Sequence, residues 1–146
     1  MNIHILLVED NEGDILLITD ALLEGKLIHK VSIARDGKQA IDMLDKRGQF
    51  QREETPDLVL LDVNLPKKNG YEVLQYIKRS DTLKQIPVIM LTTSSSENDI
   101  RLSYSNHANC FITKPAEADQ FTEVVQSLEN FWMNIAQLPS GNNTVC

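Results

Sequence analysis

The chain has 146 residues, 42% hydrophobic and 24% charged, with a formal net charge of -7. That is enough apolar material for one core in one domain, and too much for a disordered chain. No basic surplus exists to neutralise phosphates, which argues against broad contact with nucleic acid or anionic membrane.

Short apolar runs alternate with helical patterns. The first run, Ile3 to Val8, has the length of a buried strand and ends in Glu9-Asp10-Asn11, with Gly13 just beyond. Ile15, Ile18 and Leu22 then follow at helical spacing. Val31 to Ala34 is the second run, and Asp36 is placed to cap a helix carrying Ala40, Ile41 and Leu44 on one face. Arg47 to Pro56 is polar and reads as a loop. Leu58 to Leu61 is the third run, entered through Asp57 and left through Asp62; Val73, Leu74 and Ile77 then share a helix face. Pro87 to Leu91 is the fourth run, ending at Thr92-Thr93, with a weaker helix over roughly Glu97 to Tyr104. The fifth run is Cys110 to Thr113, ending at Lys114-Pro115. Phe121, Val124, Val125, Leu128, Phe131, Trp132 and Ile135 mark the stripe of a long last helix. Residues 1–135 therefore read as one domain with an extended last helix, and 136–146 as a frayed tail.

Five strands alternating with five helices predict an α/β three-layer sandwich around a mostly parallel sheet. The apolar runs show little alternation, as expected of strands covered on both faces. Cys110 and Cys146 give neither a disulfide framework nor a zinc spacing, so a reducing cytoplasm fits best. The first residues lack a basic segment of signal-peptide type, and no apolar run approaches a membrane span.

Right-handed crossovers place the C-terminal ends of parallel strands on one edge, where open sheets of this kind bind ligands. The first strand delivers Glu9 and Asp10 there, the third Asp62 and Asn64, the fourth Thr92 and Thr93, and the fifth Lys114. Arg35 and Asp36 leave the second strand, to the side. Asp57 enters its strand rather than leaving it, so it belongs at the opposite edge. Clustered carboxylates repel unless a cation joins them. Mg²⁺ takes oxygen ligands, using one or two carboxylates together with phosphate. Asp10 and Asp62 can supply direct carboxylates, with Glu9 acting through water. A carboxylate can also attack phosphorus to give an aspartyl phosphate, while metal and lysine neutralise the transferring group. A Thr92 hydroxyl could hydrogen-bond a phosphate oxygen. Taken singly, each such residue is a turn former, a cap or a solvated charge; their meeting on one edge favours a site.

In order, the segments LLVEDN, LVLLDVNLPKKNGYEVL, IPVIMLTTS and ITKP resemble the receiver domain of two-component response regulators, over about Ile3 to Trp132. The resemblance implies the flavodoxin-like receiver fold with strand order 2-1-3-4-5. It implies that a histidine kinase donates a phosphoryl group to Asp62. Lys114 would bind the phosphate and Thr92 would be the switch hydroxyl. Asp10, Asp62 and the Asn64 backbone carbonyl would ligate Mg²⁺, assisted by Glu9. A cis Lys114–Pro115 bond would also fit the family. Phe111 falls at the family's aromatic switch position and reads either as a rotamer switch or as a core aromatic. The loop Arg47 to Pro56, LTTSSSENDI and the terminal NFW look most like stand-alone regulators of cyanobacterial phytochrome-type kinases. That likeness implies a homodimer through the face of fourth helix, fifth strand and fifth helix, with the C-terminal aromatics. Output is then expected through protein contacts, with no nucleic acid and no membrane.

Two other readings compete. An aspartate-nucleophile phosphohydrolase usually needs an acid two residues after its nucleophile, and here that residue is Asn64. A degenerate module that is never phosphorylated would not need the whole residue set. Nucleotide binding is disfavoured by the lack of a glycine-rich phosphate loop. His4, His29 and His107 form no metal or catalytic constellation.

Overall fold

A computed structural model describes residues 3–24, 28–92, 101–102, 104–108, 110–113, 122–123, 126–127 and 130, with backbone alone at 92, 110, 111 and 113. The elements are β1 (Ile3–Val8), α1 (Glu12–Glu24), β2 (Ile28–Ala34), α2 (Gly37–Leu44), a 3₁₀ turn at Gly48–Phe50, β3 (Leu58–Asp62), α3 (Gly70–Arg79), β4 (Val88–Thr92) and β5 (Cys110–Thr113). Helical backbone recurs at 101–102, 104–105, 122–123, 126–127 and 130. The strands form one sheet in the order β2-β1-β3-β4-β5, and every pair is parallel.

Side chains alternate across each strand, so the sheet feeds two cores. Leu6, Val8, Val59, Leu61 and Met90 meet Ala40, Met43, Leu44, Val73, Leu74 and Ile77 of α2 and α3. Ile5, Leu7, Leu58, Leu60, Ile89 and Leu91 meet Ile18, Ala21 and Leu22 of α1 on the other face. All five β3 residues are buried, which is why that run carries no alternating polar signal.

The three helices with described starts, α1, α2 and α3, each begin at the edge where the strands end, and each of these starts is capped. The Asn11 side chain accepts the Asp14 N–H at 2.9 Å. Asp36 accepts the Gln39 N–H at 2.7 Å. Asn69 and Glu72 form a reciprocal capping box.

Some bounds differ from the sequence expectation: β3 takes in Asp62, and β4 is shifted by one residue, running Val88–Thr92 rather than Pro87 to Leu91. β2 begins at Ile28, because an edge strand pairs through its backbone and leaves polar His29 and Lys30 outside the main core. The segment Arg47 to Pro56 contains one 3₁₀ turn, preceded by Lys46 and including Gly48, both at positive φ. The Lys114–Pro115 bond, the extension through Phe131, Trp132 and Ile135, and the tail 136–146 lie outside the described residues.

Candidate functional site

β1 and β3 are in register with Val8 beside Leu61, so the next residues of both strands emerge side by side. Carboxylate oxygens of Glu9, Asp10 and Asp62 lie within 4.8 Å of one another. Glu9 is 1% and Asp62 5% exposed, whereas Asp10 faces solvent. The pocket thus has two buried acids and one open side.

Backbone donors fix the two buried acids. Glu9 accepts the Asn11 N–H at 3.1 Å through Oε1, and its own N–H extends the β1–β2 pairing to Ala34 O at 3.0 Å. Asp62 accepts the Asn64 N–H at 3.2 Å through Oδ1. Pairing beyond β3 continues through the Val63 N–H to Leu91 O at 3.0 Å. Thr92 is the residue after Leu91, the register partner of Asp62, so its backbone ends β4 beside the acids. Phe111 lies in β5 opposite Met90, and Thr113 ends that strand opposite Thr92. Lys114 and Thr93 lie outside the described residues.

Asp57 stands at the other end of β3, as strand polarity requires. Its Oδ2 accepts the His4 N–H at 2.9 Å, and its N–H reaches His4 O at 2.8 Å, so it ties the entry of β3 to β1. The His4 Nε2 shares a 2.8 Å hydrogen bond with Ser32 Oγ. His29 packs edge-on against His4 with centroids 6.5 Å apart. None of the histidines joins the acidic group. Burial pushes the His4 imidazole below its ordinary value, helped by Lys30 and opposed by Glu54, Asp57 and Glu53.

The 63–69 loop makes contacts that the sequence reading did not anticipate. Lys67 has a positive φ, and the Lys68 N–H folds back onto Pro66 O at 2.8 Å. The Gly70 N–H reaches Val63 O at 2.9 Å, and a Cβ on Gly70 would stand 2.2 Å from Asp62 O. Asp36, aside from the acidic group, pairs with Lys67 Nζ at 3.5 Å. Arg35 pairs with Glu12 at 2.7 Å and, chiefly by that hydrogen bond, holds the Glu12 carboxyl below the usual range. The legible signal was the pair of cap-glycine dipeptides, Asp36-Gly37 and Asn69-Gly70.

Such a sheet, with three acids gathered at its strand tips, defines a class. Residues 5–126 match the response regulator receiver domain, and the chain belongs to that family. It is a response regulator of two-component phosphorelay signalling. Among individual relatives it is similar to response regulator Rcp1 of Synechocystis sp., at 43% identity over 136 residues, 93% of this chain and 92% of Rcp1. It is also 40% identical over 135 residues to the probable methanogenesis regulatory protein FilR2 of Methanothrix harundinacea, covering 92% of this chain and 86% of FilR2. The structure of the phosphorylated cyanobacterial phytochrome response regulator RcpA matches with a TM-score of 0.89 at 47% identity, over 95% of this chain and 99% of that one. The Mn²⁺-bound form of Rcp1 matches with a TM-score of 0.86 at 42% identity, over 94% and 99%. No helix among the described residues is long and apolar enough to cross a membrane.

Proposed function

We propose that Asp62 is the phosphoacceptor, receiving its phosphoryl group from a sensor histidine kinase of phytochrome type. One observation carries this reading: Asp62 ends a central strand, is buried, and has Glu9 and Asp10 oxygens within 4.8 Å. The all-oxygen, acidic donor set suits a hard cation, so Glu9, Asp10 and Asp62, with the Asn64 backbone carbonyl, are the residues that would hold Mg²⁺. When bound, Mg²⁺ supplies positive charge that offsets the carboxylate repulsion and the charge of the transferring phosphoryl group.

The chain's own residues then act as follows. A carboxylate oxygen of Asp62 attacks the phosphorus of a phosphohistidine. The P–N bond breaks, the new P–O bond forms an acyl phosphate, and the imidazole nitrogen keeps the electron pair and is protonated by solvent. The Asn64 N–H on Asp62 Oδ1 orients the nucleophile. Lys114 pairs with the phosphate, and Thr92 donates its hydroxyl to a phosphate oxygen. Thr92 then draws in the segment after β4, with Phe111 following as the rotamer switch. The change is read by protein contacts, through a homodimer formed by the fourth helix, β5 and the last helix with its aromatics. The protein works in the cytoplasm and turns over no external substrate.

Incubation with acetyl phosphate and Mg²⁺ tests the assignment. The parent and Asp57→Asn are expected to be labelled, and Asp62→Asn is expected to take no label. Label persisting on Asp62→Asn would refute it.

A further inference from the structure

Three consecutive loop residues rest on the start of α2. The Gly37 N–H, one of the donors a helix leaves unpaired in its first turn, points to Pro66 O at 3.4 Å. Lys67 Nζ pairs with Asp36 Oδ2 at 3.5 Å, while Asp36 Oδ1 is occupied as the helix cap. Lys68 lies directly over Gly37: a Cβ there would stand 2.1 Å from Lys68 O and 2.7 Å from Lys68 Cβ. The nearest obstacle is backbone, which cannot rotate away as a side-chain tip can. Gly37 does not have a positive φ, so the position does not require glycine for conformational freedom. It requires glycine for space. At the other end, Gly70 admits Asp62 O equally closely, so the loop is pinned at both ends around Asn64.

We propose that Gly37 is a positioning residue for phosphorylation, because its missing side chain seats the 63–69 loop on α2 and thereby sets where Asn64 and Asp62 meet the cation. This inference rests on the reading of Asp62 as the acceptor beside Mg²⁺. A glycine kept only to start a helix would affect stability and leave the acidic site alone. The two roles separate experimentally.

Calorimetric titration with MgCl₂ is performed on the parent, on Gly37→Ala, and on Leu22→Val as a destabilised control on the opposite face of the sheet. Gly37→Ala is expected to bind Mg²⁺ about tenfold more weakly, while Leu22→Val binds as the parent does. Gly37→Ala binding within twofold of the parent, with only its urea midpoint lowered, overturns the inference. If Gly37→Ala does not fold, the double variant Asp36→Asn, Lys67→Gln decides instead, since asparagine keeps the cap while the ion pair is lost. It is expected to weaken Mg²⁺ roughly two- to fivefold and to speed amide exchange at Asn64 and Lys68. Unchanged affinity and exchange overturn the inference. A parent that binds no Mg²⁺ refutes the site reading itself, an outcome distinct from either failure.

Discussion

Asp10→Asn should make the Mg²⁺-free protein more stable while removing most of its response to Mg²⁺. With carboxylate oxygens within 4.8 Å, each pair of charges repels by about 0.9 kcal/mol at the dielectric of water and about 3.5 kcal/mol at an effective dielectric near 20. Asp10 faces both Glu9 and Asp62, so its neutralisation removes two such repulsions. Because Asp10 is exposed, the lower figure governs, and the variant should gain about 2 kcal/mol. Asparagine is close to isosteric, so packing of the buried cores is untouched. The parent has the opposite profile: a cation that binds only the folded state adds about 2.7 kcal/mol at one hundred times its dissociation constant. Urea unfolding in EDTA and in saturating MgCl₂ measures both quantities on the same two proteins. An Asp10→Asn protein no more stable than the parent in EDTA, and still stabilised by Mg²⁺ to the parent's extent, would refute the placement of Asp10 in the site.

Acid should destabilise the fold through His4. Its folded imidazole titrates below the ordinary value of 6.5, first because of burial, so the unfolded chain binds the proton more readily. Both states are neutral above pH 6.5, and the stability held there is lost as pH falls from 6.5 toward the lowered folded value, at up to about 1.4 kcal/mol per pH unit. Urea midpoints at pH 7.5 and 5.5 should differ in the parent and differ less in His4→Gln; equal slopes would remove His4 from the acid response. Asn69→Ala deletes the cap of α3 and half of its capping box, and should cost about 1 kcal/mol, seen as a fall of a few degrees in Tm. A Tm unchanged by Asn69→Ala would mean that the α3 terminus is held by Gly70 and the loop alone.

The sheet was legible because its central strands β1, β3 and β4 are buried on both faces and so stand out as nearly continuous apolar runs. The helices showed in stripes such as Val73, Leu74 and Ile77, all buried as their spacing implied. β2 was legible only in part: Lys30 joins the strand by pairing opposite His4, and His29 sits at the bulge between the Ile3–Ile28 and His4–Lys30 pairs, neither of which leaves an apolar trace in the sequence. Strand polarity separated Asp62 from Asp57, two aspartates flanking the same run, and the structure puts them at opposite ends of β3. The role of Gly37 was invisible for a different reason. A sequence shows that a side chain is absent but not that Lys68 stands in the space it leaves.

The pairing of β1 with β3 joins Ile5 to Leu58 and Val8 to Leu61, residues far apart along the chain. Glu9 and Asp62 therefore approach one another only after a long intervening segment, with α1, β2 and α2 inside it, has closed. No short peptide cut from this chain carries all three acids of the pocket, since only Glu9 and Asp10 are neighbours in sequence. A cation held there acts as a removable cross-link between two distant stretches of sequence, and its occupancy reports on whether the central strands have met.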